Sequence, residues 1–192
     1  ATATVAIGME SLKALTSGQA NVAIGYEALK VEDDGDFNTA VGYQALKDQT
    51  GVSGTVGNTA VGYYAGTNIT TGIKNTILGT YAGYTSLLVD NTVLLGYNAG
   101  GSGAMTAGAD GTIAIGFSAL QALTTGASNI AIGINALKVH TTGARNIAIG
   151  ELTMTDTNAG STSLGSADNV FIGYNAGGGT WTDAASNQNI GI

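Results

Sequence analysis

The stretch NVAIGYEAL, from Asn21 to Leu29, decides the fold of this chain because it recurs along the whole sequence. Full copies occupy 38–46 (NTAVGYQAL), 58–66 (NTAVGYYAG), 129–137 (NIAIGINAL) and 169–177 (NVFIGYNAG). Successive copies, counting looser ones, are 17, 17, 20, 17, 17, 20, 17, 17 and 23 residues apart. The copies also follow a longer period of 54 residues. Segments two such periods apart are similar, as 11–21 (SLKALTSGQAN) and 119–129 (ALQALTTGASN) show. Such a period is typical of a repeat array in which stacked neighbours supply the core.

Each copy predicts one short β-strand. Val22 and Ile24 are branched and apolar with Ala23 between them, the period-two alternation of a strand of about four or five residues. The segments Leu12–Thr16 and Leu120–Thr124 predict a second, weaker extended piece. A return turn follows with the pattern T-(T/S)-G-x-x-N, where we expect the glycine to adopt a positive φ. Ten to eleven such coils, about 4.8 Å apart, make a rod of about 50 Å.

Three sets of equivalent residues are expected to stack from coil to coil. The anchoring glycines are Gly8, Gly25, Gly42, Gly62, Gly79, Gly96, Gly116, Gly133, Gly150 and Gly173. The asparagines, which we expect to form a hydrogen-bonded ladder, are Asn21, Asn38, Asn58, Asn75, Asn129, Asn146 and Asn169. The aromatic residues that follow the glycines are Tyr26, Tyr43, Tyr63, Tyr97, Phe117 and Tyr174.

The abundance of small residues predicts a flattened roll with a thin core. Such a core cannot hold both the Val/Ile pair and the Ala-Leu pair of every repeat, so one outward stripe is expected to be apolar. A stripe several coils long exceeds the few hundred Å² that a soluble monomer exposes, which favours self-association. The charged fraction of 10%, against about 25% in ordinary domains, also indicates a partly covered surface.

The composition excludes several classes of protein. The 192 residues contain no Cys and no Pro, which rules out a disulfide scaffold, a thiolate metal site and collagen. The net charge of −7 disfavours nucleic acid. No apolar run is long enough to span a membrane, and 1–8 does not have the pattern of a signal peptide. We interpret 1–192 as one repeat domain and, because it starts without Met and stops partway through a copy, as a fragment of a longer fibre.

Residues that carry chemistry are few. His140 is the only histidine, and its alignment with Thr16 and Thr124 predicts a solvated turn residue. The run Glu32, Asp33, Asp34 and Asp36 predicts a solvated acidic corner, with weak Ca²⁺ binding as the alternative. The sequence therefore predicts no catalytic residue, no cofactor and no resident metal, and we do not expect an enzyme.

The candidates for ligand contact are aromatic. Trp181, the sole tryptophan, falls in an irregular segment, and Tyr64 and Tyr84 lie outside the expected aromatic column. The column itself is interpreted as a structural ladder or intersubunit contact, with a sugar-stacking platform as the alternative. Threonines assigned to the second motif position, namely Thr39, Thr59, Thr76 and Thr92, raise the further alternative of an ice-binding face.

The copies NVAIG (21–25), NIAIG (129–133 and 146–150) and TVAIG (4–8) resemble the head repeats of trimeric autotransporter adhesins, the YadA-like heads, and similar repeats of phage tail fibres. The resemblance covers essentially the whole chain, although these coils are longer than the usual ones and Tyr commonly follows the glycine. It implies a left-handed parallel β-roll, a homotrimer and an extracellular adhesive fibre on a bacterial surface or a virion.

That resemblance leaves open the bacterial or phage origin, the receptor (a cell-surface glycan or a protein) and the face or loop that binds it. A polysaccharide-degrading solenoid of the tailspike type is the enzymatic alternative, and it requires two acidic residues that converge in a groove.

Overall fold

The computed structural model describes residues 2–50, 53–155, 165–179 and 186–192. Eleven short strands form one parallel sheet in chain order, so each strand pairs with the strand of the next coil. A second sheet has two two-residue strands. Within these residues there is no α-helix, and a 3₁₀ turn spans Ala107–Ala109. The predicted all-β parallel solenoid, of about ten turns, is confirmed.

The strands that build the large sheet are three residues long, except the last. They are β1 (Val5–Ile7), β2 (Val22–Ile24), β4 (Thr39–Val41), β6 (Thr59–Val61), β7 (Thr76–Leu78), β8 (Val93–Leu95), β9 (Ile113–Ile115), β10 (Ile130–Ile132), β11 (Ile147–Ile149), β12 (Val170–Ile172) and β13 (Ile190–Gly191). The small sheet pairs β3 (Gly35–Asp36) with β5 (Gly54–Thr55). We call the large sheet the strand wall.

Each strand of the wall ends where its anchoring glycine turns the chain. These glycines have φ between 128° and 142°, a region that L-residues rarely adopt. They also stack directly on one another: a Cβ on Gly79 would lie 2.5 Å from the carbonyl oxygen of Gly96. At every anchoring glycine except Gly173 a larger side chain would collide with the next coil, and at all of them the φ favours glycine.

The opposite side of each coil, which we call the turn wall, is built from turns rather than from the predicted second extended segment. Glu27 and Leu29 both have a left-handed backbone, with φ of 54° and 49°, so the chain coils here and cannot extend. Neighbouring coils are still joined by backbone bonds, such as Leu29 N–H to the oxygen of Ala45 at 3.1 Å. The prediction of extended structure at Leu12–Thr16 and Leu120–Thr124 was wrong for this reason.

The core between the two walls is thin, as expected. The centre of each strand points inward, and Ala23, Ala40 and Ala131 are fully buried there. The turn wall contributes the Ala-Leu pair, for example Ala28 and Leu29.

The residues that flank each strand centre point outward instead. Leu78 (50%) and Ile7 (58%) are exposed, and the flanking residues of most other strands, such as Val61 and Leu95, are half-buried. The predicted outward apolar stripe is therefore present. We call it the aliphatic face; its members are Val5, Ile7, Val22, Ile24, Val41, Val61, Leu78, Val93, Leu95, Ile113, Ile115, Ile130, Ile132, Ile147, Ile149, Val170 and Ile172.

The return turn departs from its expected backbone. The glycine of the T-(T/S)-G pattern, such as Gly18, is not in the left-handed region; the residue before the asparagine is, as at Ala20 (φ 53°) and Lys74 (φ 58°). Glycine is needed because the next coil comes too close: a Cβ on Gly18 would lie 2.5 Å from the oxygen of Gly35. The expectation of a positive φ at this glycine was wrong.

Candidate functional site

The asparagine column holds neighbouring coils together inside the molecule. Asn21 is fully buried; its Nδ2 donates to the oxygen of Gly35 (2.7 Å), and its Oδ1 accepts from the backbone N–H of Asn38 (2.8 Å). Asn58 repeats the pattern with Gly72 (2.7 Å) and with the backbone N–H of Asn75 (2.9 Å). Thr92 and Thr112 replace asparagine in two coils and are also buried. This column has a structural role.

The aromatic side chains gather on one part of the surface, beside the aliphatic face. Ring contacts connect them without a break across six successive coils, from Tyr26 to Phe117. In the middle coil Thr80 takes the position expected for an aromatic residue, and Tyr81 closes the gap, 5.5 Å from Tyr63 and 6.1 Å from Tyr97 between ring centroids. We call the set the aromatic row: Tyr26, Tyr43, Tyr63, Tyr64, Tyr81, Tyr84, Tyr97 and Phe117.

Ring orientation differs between the ends and the middle of the row. At the ends the rings are parallel, as in Tyr26–Tyr43 (5.0 Å, 18°) and Tyr97–Phe117 (5.3 Å, 9°), so they cover each other's faces. In the middle most pairs meet edge to face, such as Tyr63 and Tyr64, which are 4.3 Å apart at 82°, although Tyr64 and Tyr81 are parallel. The row is therefore a stacked ladder at both ends with a different arrangement at its centre.

That centre contains both tyrosines predicted as ligand contacts. Tyr64 and Tyr84 are 5.6 Å apart at 77°, and Tyr81 lies parallel to Tyr64 and perpendicular to Tyr84. With Tyr63 they form what we call the tyrosine cluster. Sequence reasoning missed Tyr81, although the copy NTILGTYAG at 75–83 shows an aromatic residue displaced by one position.

Two other aromatic predictions fall outside the row. Tyr174 does not extend it, because Ile134 and Glu151 occupy the equivalent position in the two intervening coils. Trp181 lies outside the described residues.

The aromatic row is half exposed and electrically neutral. Exposure is 40% at Tyr43, 44% at Tyr63 and 48% at Tyr97, whereas the other tyrosines of the row are more buried. Desolvation, followed by neighbouring phenols, raises the pKa of Tyr63, Tyr64 and Tyr81. Their hydroxyls therefore remain protonated hydrogen-bond donors at neutral pH.

An ionic cluster adjoins the first end of the row. The Lys30 ammonium lies 2.6 Å from a Glu10 carboxylate oxygen and 2.7 Å from one of Glu27. Hydrogen bonds from Lys13 and Lys30 lower the pKa of Glu10 to about 2. The two lysines balance the two carboxylates, and the hydrogen bond between Glu27 and Tyr26, the first ring of the row, raises the pKa of Tyr26.

The acidic corner is solvated in part: Asp33 is exposed and Asp34 and Asp36 are half-buried, whereas the expectation was wrong for Glu32. Carboxylate oxygens of Glu32, Asp33 and Asp34 lie within 4.8 Å of one another, the one group of this kind in the described part of the chain. Glu32 is fully buried, and its Oε1 accepts from the backbone N–H of Gly35 at 2.8 Å. Burial raises the pKa of Glu32. This carboxylate therefore caps the return turn from inside the molecule.

His140 is buried, so its interpretation as a solvated turn residue was wrong. It aligns with Leu15 and Leu123 on the turn wall, one position before Thr16 and Thr124. Its Nε2 lies 2.9 Å from the oxygen of Gly143 and 3.3 Å from Nδ2 of Asn146. Desolvation lowers the pKa of His140.

The threonines do not form the face expected of an ice-binding protein. Thr39, Thr59 and Thr76 occupy the outward position of only three strands, between Val22 and Val93. Thr92 does not belong with them, because it is buried in the asparagine column and donates to Oδ1 of Asn75 at 2.7 Å.

Comparison with known proteins does not add to this picture. The chain matches no protein-family model, no curated protein and no solved structure. Within the described residues, no helix has the length and apolar character needed to cross a membrane.

Proposed function

We propose that this chain is a non-enzymatic structural and adhesive domain of an extracellular fibre, on a bacterial surface or a virion, that attaches to a cell-surface receptor. Three copies associate through their aliphatic faces, and each is a left-handed β-roll, as the resemblance to YadA-like heads implies. The observation that carries the proposal is the aliphatic face, which runs the length of the strand wall, about 50 Å.

The aliphatic face supports self-association because contact between apolar side chains and water is unfavourable. Leu78 is half exposed at the middle of the wall, and the flanking strands present Val61 and Leu95 on the same side. Monomeric proteins rarely expose apolar surface that continues over so many residues. A second copy of the same face offers a matching partner, since identical strands repeat at one spacing.

The roles of the repeated residues support a structural function. The anchoring glycines and the asparagine column are engaged in coil-to-coil contacts, as at Gly79 and Asn58. The aromatic row, which is confined to six coils, lies on the surface. This division is typical of a rod that displays a binding surface.

Sedimentation velocity of the purified chain tests the proposal. Wild type is expected to sediment at three times the 19.0 kDa of one chain. Leu78→Lys is expected to be monomeric with an unchanged circular dichroism spectrum, because Leu78 is not part of the core. Thr71→Lys, exposed on the return turn of the same coil, is the matched control and should remain trimeric. A folded, soluble wild-type monomer overturns the proposal.

A further inference from the structure

The aromatic row is a local departure from the repeat. The aliphatic face continues over the whole strand wall, whereas the row ends at Phe117 and is followed by Ile134 and Glu151 in the same position. A packing surface generated by the repeat alone would continue with it. The row therefore serves something other than the stacking of coils.

The tyrosine cluster departs furthest from the pattern. Tyr64 and Tyr81 each lie two residues after the anchoring glycine of their coil. The adjacent coils have Gln44 and Asn98 at that position. Tyr84 stands where the earlier coils carry Lys30 and Lys47. Three tyrosines thus replace polar or charged side chains at one place, although polar side chains are accommodated at the equivalent positions.

The shape of the row indicates what it can bind. Apart from the tyrosine cluster it is one ring wide, and it extends along the rod over six coils, about 24 Å. A stable protein–protein interface buries about 800 Å² on each partner, which needs a broader surface. A narrow, elongated row matches a linear chain instead.

The chemistry of the cluster selects among linear chains. The chain's charge of −7 repels a polyanion such as a nucleic acid. The cluster combines uncharged aromatic surface in two perpendicular orientations with phenol hydroxyls, and the side chains of Gln44 and Asn98 flank it in the neighbouring coils. A saccharide has apolar C–H patches that suit aromatic rings and hydroxyls that suit the polar groups.

We propose that the tyrosine cluster binds a neutral saccharide chain, laid lengthwise along the aromatic row. This inference rests on the proposed attachment function, since the saccharide is the part of the receptor that the fibre contacts. One such site binds weakly because it is shallow, and several copies in one fibre raise the overall avidity.

A glycan array probed with fluorescently labelled wild-type chain, followed by calorimetry with the best-bound neutral oligosaccharide, tests the proposal. The double variant Tyr64→Gln/Tyr84→Lys places residues of the equivalent positions in the cluster, so the fold should be retained; affinity is expected to fall by at least about tenfold. Tyr174→Ala removes an exposed tyrosine outside the row and is the matched control, with unchanged affinity.

The outcomes separate this inference from the proposed function. Binding of no neutral glycan, or binding that the double variant leaves unchanged, overturns the saccharide site. If the same preparation still sediments as a trimer, the fibre proposal stands while the saccharide site is rejected. Binding only of charged glycans, or of a protein in place of glycans, also overturns it.

Discussion

On the strand wall the coils from β2 to β11 all place a buried aliphatic residue at the strand centre and a glycine after the strand, whereas on the turn wall one buried position changes its chemistry from coil to coil. That position holds Glu32, then Gln49 in the next coil, and later Leu123 and His140. Both walls are closely packed. The difference lies in what surrounds each residue.

The strand wall confronts each residue with the backbone of the next coil. Gly79 faces the carbonyl oxygen of Gly96, so neither its size nor its φ can change. On the turn wall the varying side chain reaches polar groups of the return turn, and different side chains meet them: Glu32 accepts from Gly35 N–H, and Gln49 donates to the oxygen of Thr70 at 2.8 Å. Where the backbone of the next coil lies against a residue, only one residue type fits. Where a side chain reaches a polar group at hydrogen-bond distance, several residue types can replace one another.

The largest effect is expected on the strand wall, from Gly79→Ala. The methyl group meets the Gly96 carbonyl in a backbone region that alanine avoids, so the variant should lose about 3 kcal/mol or more of unfolding free energy in a urea titration. Gly57→Ala is the control: φ is 65°, no atom lies within 4 Å, and Ala20 occupies the equivalent position. It should cost about 1 kcal/mol. Equal losses in the two variants would contradict the role of the close approach.

Asn58→Ala tests the asparagine column that holds neighbouring coils together. It removes the donor to Gly72 and to Oε1 of Gln49, and the acceptor of Asn75 N–H, all of them buried. Since unsatisfied buried groups are costly, the expected loss is about 2–3 kcal/mol in the same titration. The half-buried Asn68→Ala should change stability by less than about 0.5 kcal/mol. A comparable loss at Asn68 would show that the column is not special.

Glu32→Gln tests the tolerance of the turn wall. The pKa of Glu32 is raised by burial, so the folded protein holds this proton more tightly than the unfolded chain, and stability is lost as pH rises above 4.5. Glutamine, already present at the equivalent Gln49, avoids the buried charge and should add about 1 kcal/mol at pH 7.

The gain from Glu32→Gln should disappear below pH 4.5, as followed by thermal melting against pH. The exposed Glu151→Gln is the control and should show neither effect. A variant less stable than wild type at pH 7 would show that the ionised carboxylate is required in the return turn.

The smallest effect at neutral pH is expected from His140→Leu, which copies Leu123. Burial lowers the pKa of His140, so below pH 6.5 the unfolded chain binds a proton that the folded chain does not. The stability of the wild type therefore decreases as the pH is lowered below 6.5. The variant should match wild type at pH 7.5 and exceed it at pH 5 in thermal melting. Gly143 O still accepts from Nδ2 of Asn129 at 2.8 Å, so this buried acceptor keeps a donor. Parallel pH profiles would contradict this assignment.

Much of the strand wall could be predicted from the sequence because its rules are local and repeated. Period-two alternation around Ala23 gave the strand, and the spacing of the glycines gave the coil. The prediction of an extended segment at Leu12–Thr16 was wrong because residues such as Leu12 (φ 47°) have a left-handed backbone. They are not glycines, and their side chains do not indicate that conformation.

The candidate site was predictable only in part. The aromatic column follows from the position after each glycine, but the bridging role of Tyr81 depends on ring positions in neighbouring coils. His140 was misassigned because aligning it with Thr16 instead of Leu15 moves it from the core to the surface. A shift of one residue in the alignment changes a position on this wall from buried to exposed. The correct alignment, which makes His140 equivalent to Glu32, is visible only once both are seen to be buried.

The left-handed residues at each corner, such as Glu27, Leu29 and Phe37 (φ 63°), have a consequence for how the rod forms. Each such residue costs about 1–2 kcal/mol that a lone coil cannot recover. The penalty is offset only when another coil docks and supplies backbone partners. Folding of the chain should therefore begin with a slow step in which a few coils form together. Further coils should then add rapidly on both sides of that nucleus.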